Sequence, residues 1–277
     1  MNKPLMYFGM VVIAGAAIIS SCQRDPEDSN TTASLDNALA EGEANQVLDA
    51  VHNVMGDYNV GKLDGTQDNR TGFLPSCATV TWDTAAQIIT IDFGTTGCVC
   101  SSPWDGKTRK GQIIFHYTGA YRDSGSVITI NTQDYYVNDN KFDLSKTVTN
   151  LGLNGNGNLE YDINVSTATF TLANAGGVIT WTSQRTREWT EGESTLTPFD
   201  DVYLISGSAS GTDRNNNPFT VSIIDPLKVD LSCMHITAGS VDITPSGLPV
   251  RHVDWGNGTC DDIATVEING VVYTIHI

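Results

Sequence analysis

Basic residues are scarce in this chain of 277 residues: 15 lysines and arginines stand against 32 aspartates and glutamates, a formal net charge of −17. Such a balance repels phosphate backbones and anionic headgroups, so nucleic acid is excluded as a partner. Charged residues make up only 17% of the chain and aromatics 8%, while Gly, Asn, Ser and Thr are abundant, a profile common in extracellular β proteins. Long apolar runs are lacking too. The stretch from Leu5 to Ile19 covers 15 residues, short of the roughly 20 that a membrane-crossing helix needs.

Catalytic signatures are also missing. His52, His116, His235, His252 and His276 are scattered, with no HExxH and no pair at metal-ligand spacing. Each reads as a surface residue of a strand or helix rather than a base. Gly207-Ser208-Ala209-Ser210-Gly211 puts alanine where a nucleophile elbow carries serine, and the run Gly152 to Gly157 lies between strand-like segments and reads as a turn. Asp200-Asp201 and Asp261-Asp262 are chain neighbours, whose side chains diverge in a strand, whereas a glycosidase needs two carboxylates facing one another. The loop Asp254 to Asp262 offers Asp254, Asn257, Asp261 and Asp262 as oxygen ligands for Ca²⁺. A simpler account has Asp92 and Asp254 capping sharp glycine turns. The chain is therefore read as a non-enzyme, with no catalytic residue, metal or cofactor assigned.

What the chain does carry begins at its amino terminus. Lys3, the apolar stretch Leu5 to Ile19, two small residues and a cysteine form the order Ile19-Ser20-Ser21-Cys22. The length suits the central region of a secretory signal. This order resembles the lipobox of the cell-envelope lipoproteins of Gram-negative bacteria, which implies cleavage after Ser21 and acylation of Cys22. Residues 1–21 would then be a signal peptide, and the mature 256 residues would lose Lys3 and no acid, taking the net charge from −17 to −18. Acylation with two or more chains anchors a protein to a bilayer without a span. Residues 22–33, with Asp25, Glu27 and Asp28 and no bulky apolar side chain, read as a flexible acidic tether. An acidic run at this place resembles the signal that sends some lipoproteins to the outer face of the outer membrane.

Five further cysteines would face an oxidising compartment. Asp92-Phe93-Gly94 followed by Cys98, and Asp254-Trp255-Gly256 followed by Cys260, share the form Asp, aromatic, Gly, three residues, Cys, and each follows a strand-like run that holds a cysteine. The parallel pairs Cys77 with Cys98 and Cys233 with Cys260, each bridge contributing roughly 3 to 4 kcal/mol on the chain-entropy account. Cys100 is the odd thiol, and it competes with Cys98 for Cys77 because residues two apart in a strand point the same way.

Residues 34–277 read as one β-rich domain. Leu35, Ala38, Leu39, Val47, Leu48, Val51, Val54 and Met55 recur at helical spacing, predicting a helix over 34–58 with Ser34 as N-cap and Gly56 at its end. Gly42 weakens its middle by about 1 kcal/mol relative to alanine. After a loop from Lys62 to Pro75, short strand-like runs fill residues 77–277 at the spacing of an antiparallel meander. Separate runs are read at Leu159 to Val165 and Ala168 to Leu172, at Val178 to Trp181, and at Phe219 to Ile224 and Leu227 to Met234. Asn269-Gly270 predicts a two-residue hairpin pairing Ile268 with Val271, Val266 with Tyr273 and Ala264 with Ile275. Asp213 to Asn217 predicts a second hairpin. The expected fold is mainly β, an antiparallel β-sandwich or an open curved sheet or half-barrel, with the helix packed on it.

The function expected is a non-enzymatic binding or structural module at the outer membrane, with a glycan or protein as ligand. Tyr135-Tyr136 and the segment Trp181 to Trp189, with Arg185 and Arg187 between its tryptophans, are the aromatics available for stacking. The alternative is a carrier of lipid or another apolar ligand, because a helix over a curved sheet resembles the half-barrels of periplasmic lipoprotein carriers. An unrecognised hydrolase is the third reading. A cavity between helix and sheet favours the carrier, and a filled core with exposed aromatics favours the surface binder.

Overall fold

The computed structural model describes residues 28–58, 74, 77–99, 106–195 and 198–277. Cys22, most of the acidic tether, nearly all of the loop from Lys62 to Pro75, and Cys100 lie outside the described residues. Among the described residues one α-helix, α1 (Thr32–Tyr58), precedes fourteen strands. They are β1 (Thr79–Asp83), β2 (Ile88–Asp92), β3 (Cys98–Val99), β4 (Thr108–Tyr117), β5 (Val127–Val137), β6 (Asn140–Leu153) and β7 (Leu159–Thr171). Then come β8 (Val178–Glu191), β9 (Val202–Thr212), β10 (Pro218–Asp230), β11 (Ile236–Pro245), β12 (Arg251–Asn257), β13 (Ile263–Ile268) and β14 (Val271–His276).

All the strands belong to one antiparallel sheet whose spatial order follows the chain from β1 to β14, with β3 set beside β4. The arrangement is the open curved sheet and not two stacked sheets. Inward side chains alternate with outward ones along each long strand. In β8 the buried positions are Ile179, Trp181, Ser183, Arg185, Arg187 and Trp189. The sheet curls around α1: β4, β6, β8 and the turn between β9 and β10 all send side chains to it, and β12 holds the segment just ahead of it.

Three elements differ from the sequence reading. The two halves read for β7 are one strand, and so are the two halves of β10. The ladder slips at Ser145/Lys146 opposite Thr167 and Val165, and again between Ile223 and Lys228. Ser166 and the Asp225-Pro226 pair therefore mark bulges, which add a residue and bend a strand without ending it. β8 runs on to Glu191, ten residues past Trp181. Its second half was hidden because its inward face is polar.

The helix begins before Ser34. Thr31 C=O accepts the Leu35 N–H at 3.0 Å and Asn30 Oδ1 accepts the Thr32 N–H at 2.9 Å, leaving Ser34 buried inside the first turn. The segment ahead of it is no loose spacer from Asp28 onward. Buried Arg251 holds Asp28 through Nη2 at 2.6 Å and donates from Nε to Asn30 C=O at 3.3 Å.

The final hairpin has the predicted register throughout, with Ile268 opposite Val271, Val266 opposite Tyr273 and Ala264 opposite Ile275. Asn269 and Gly270 both take positive φ, as a type I′ turn demands. Asp213 caps the β9–β10 turn by accepting from the N–H groups of Asn215 and Asn217. Cys77 is bonded to Cys98 and Cys233 to Cys260. Each shared motif has one reason for its form: Asp92 accepts the Gly94 N–H at 2.7 Å, and Asp254 accepts the Gly256 N–H at 2.6 Å. Both glycines have positive φ, where a side chain would be strained.

Candidate functional site

Two surfaces of α1 behave differently, and together they define the site. The face toward β6–β9 is buried and ionic. Glu41 accepts two bonds from Arg185, and Arg187 donates to Asp49 at 2.8 Å while its guanidinium lies 3.7 Å from the centre of the Tyr203 ring. Asp36 accepts the Arg214 N–H at 2.7 Å and also its guanidinium. Trp181 Nε1 donates to Asn37, and Lys146 Nζ donates to the Ala44 carbonyl at 2.7 Å. Taking charges out of water is tolerable only when each meets a partner of good geometry, so these bonds fix the rotation and height of the helix in the sheet.

Burial sets the titration of this layer. It lowers the Lys146 ammonium to about 7, with Arg187 pushing the same way and Asp49 and Glu41 opposing. His52 sits below the ordinary histidine value, again because of burial, although Asp201 at 3.2 Å pulls it upward. Burial raises the Tyr121 phenol to about 12. The expectation that every histidine lies on the surface fails for His52, which is buried edge-on to Tyr121, Trp189 and Tyr203. Helical spacing put it near the apolar stripe, and its partner Asp201 comes from a loop 149 residues away. The neighbouring Asp200 is exposed and accepts from the Thr195 hydroxyl, so the two aspartates do diverge.

The aromatics singled out for stacking are mostly inside. Trp181, Trp189 and Tyr135 are buried, with Tyr136 half-buried on the other side of β5. Arg185 and Arg187 face the helix and not solvent. The oxygen donors of the Asp254 to Asp262 loop do not converge either: Asp254 serves Gly256, Asp261 serves the Ile263 N–H, Asp262 pairs with His276 at 2.9 Å, and Asn257 accepts from Thr259. Among the described residues no group of three His, Cys, Asp or Glu is placed to hold a metal.

The opposite face of α1 is only partly covered. Between the early strands and the late ones, the sheet leaves a cleft of about 450 Å³ whose floor is the helix, from Leu35, Ala38 and Leu39 through Gly42 and Gln46 to Ala50. One wall comes from Phe93, Ile113 and Tyr135, the other from Val229, Leu231, Ile236 and Trp255. A few polar groups rim it. Lys107 pairs with Glu43 at 2.7 Å, Arg109 donates to Gln46 at 2.7 Å and to the Tyr135 hydroxyl at 3.2 Å, and His235 and His276 stand at the far wall. Volume and lining match those of small-molecule pockets, which are mostly apolar with a few placed polar groups.

Gly42 lies in the middle of this floor. It has no positive φ, and a Cβ built there would meet nothing within 4 Å. Neither backbone strain nor a close neighbour accounts for glycine at this position, although it costs about 1 kcal/mol of helix stability against alanine. Its effect is to deepen the cleft.

No helix among the described residues is long and apolar enough to cross a membrane. No protein family, curated protein or solved structure matches this chain.

Proposed function

We propose that this protein is a non-enzymatic carrier, anchored to the outer membrane through acylated Cys22, that holds an apolar chain-like ligand in the cleft along α1. The observation that carries the reading is the cleft itself, floored by a mostly apolar stretch of α1 and open above Gly42. A saturated chain of about sixteen carbons, at roughly 27 Å³ per methylene, fits the observed volume and lies within the usual range for ligand pockets. A glycan or partner surface has less to stand on, since of the rings it relied on Tyr135, Trp181 and Trp189 are buried and Tyr136 is half-buried on the outer side of β5.

Glu41, Asp49 and Asp36 and their arginines serve this function indirectly. They hold the ionic face of α1 against the sheet, so the cleft face stays available. The test is native mass spectrometry of the full chain purified from membranes in mild detergent. A co-purified apolar molecule, released by solvent extraction and absent from a Gly42→Leu variant, is the expected result. An unliganded wild-type chain that also fails to take up added fatty acid would refute the carrier.

A further inference from the structure

We infer that the loop between β11 and β12 docks the domain onto the bilayer by inserting Leu248 and Val250 among the headgroups of a zwitterionic membrane; this rests on the anchored-lipoprotein reading. Most other turns at this end of the sheet are polar or glycine-rich: Asn138-Asp139 between β5 and β6, Asp213 to Asn217, and Asn269-Gly270. Val99 in β3 and Val178 at the start of β8, 54% and 45% exposed, also lie at this end. The β11–β12 loop reads Ser246-Gly247-Leu248-Pro249-Val250 and leaves Leu248 42% and Val250 44% exposed. Val272, 59% exposed, lies close by on the outer row His252, Glu267, Val272. Polar turns face water at no cost, and a Leu-Pro-Val tip does not.

The start of the described chain is fixed beside this same loop. Arg251, which follows the tip directly, grips Asp28 and Asn30 while its guanidinium also donates to Pro249 C=O, and the Tyr273 hydroxyl donates to Asp28 C=O at 3.5 Å. Only residues 23–27 separate Asp28 from Cys22. A chain of that length reaches about 20 Å at full extension, so an acylated Cys22 keeps the Arg251 end of the sheet within that distance of the headgroups. The exposed apolar tip and the anchor thus lie at one end of the molecule. The net negative charge selects a zwitterionic over an anionic surface.

The experiment uses the acylated full chain on dioleoylphosphatidylcholine vesicles, with and without brominated acyl chains. L248W is compared with L153W, which places the added ring at the other end of the sheet, at a site that is 67% exposed against 42% for Leu248. The docked geometry has brominated lipid roughly halve the added emission of L248W and leave that of L153W unchanged. Amide exchange of the unmodified chain supplies a reading free of mutation, with residues 246–250 slowed on vesicles relative to detergent. A chain that floats with vesicles but shows neither quenching at 248 nor protection of the loop overturns the docking and leaves the anchor standing. Quenching at 153 in place of 248 overturns it as well. A chain with an unacylated Cys22 that stays in solution overturns both.

Discussion

β8 and the β13–β14 hairpin are both regular antiparallel segments, yet they face the interior with opposite chemistry. The hairpin turns Ala264, Val266, Ile268 and Ile275 inward, while the second half of β8 turns Ser183, Arg185, Arg187 and Trp189 inward. The inward face of the hairpin packs by apolar burial, which tolerates any neighbour of suitable shape. β8 packs by matching charges to Glu41 and Asp49 on α1, which tolerates one helix position only. The difference teaches that the sheet has an adaptable end beside the cleft and a keyed wall opposite it.

Breaking the key gives the largest effect. Glu41→Ala leaves Arg185 buried without its carboxylate, and the expected loss is about 3 to 5 kcal/mol in denaturant unfolding. Replacing both partners, Glu41→Leu with Arg185→Met, should restore most of it; a double variant as unstable as the single one would show that the pair does not act as a unit. On the apolar side Ile268→Ala should cost about 2 to 4 kcal/mol, with a loss that is the same at pH 6 and pH 9.

Dependence on pH sharpens the contrast. Lys146 titrates near 7 when folded against 10.5 when unfolded, so the unfolded chain binds the extra proton between those values and stability from this group rises with pH across them. The slope is at most about 1.4 kcal/mol per pH unit. Lys146→Met should flatten this rise. His52 adds a loss in the same sense as pH falls below 6.5, since burial disfavours its charged form. Above pH 10 the raised tyrosines oppose the trend, because unfolded phenols ionise first. Thermal melts from pH 5 to 11 on the wild type, Lys146→Met and His52→Asn read all three parts.

The smallest expected effect is Gly42→Ala, a gain of about 1 kcal/mol in the absence of ligand. Its sign matters more than its size, since a loss would mean that the helix floor is already packed.

Much of the fold was legible in the sequence where local chemistry decides the outcome. Asn269-Gly270 fixed a turn, and the turn with its flanking alternation fixed the register of six pairs. The repeated Asp-aromatic-Gly motif paired the cysteines because two similar turns present their cysteines alike. Legibility failed where a strand answers to a distant partner. Arg185 and Glu41 are 144 residues apart, and an inward arginine cannot be told from an outward one until the helix is in place. Bulges at Ser166 and Asp225-Pro226 looked like strand ends for the same local reason that real turns do. The cleft left one trace, a glycine in mid-helix, which reads as a weak point until the space above it is seen.

Ligand binding by Gly42 variants tests the central claim most directly. The full chain, in mild detergent, is titrated with a dansyl-labelled fatty acid beside Gly42→Leu, with the stability of both measured in the same buffer. Saturable, blue-shifted emission for the wild type, weakened roughly tenfold or more in a Gly42→Leu chain that remains as stable, is the outcome this account requires. Equal binding by both chains, or binding by neither, would contradict it.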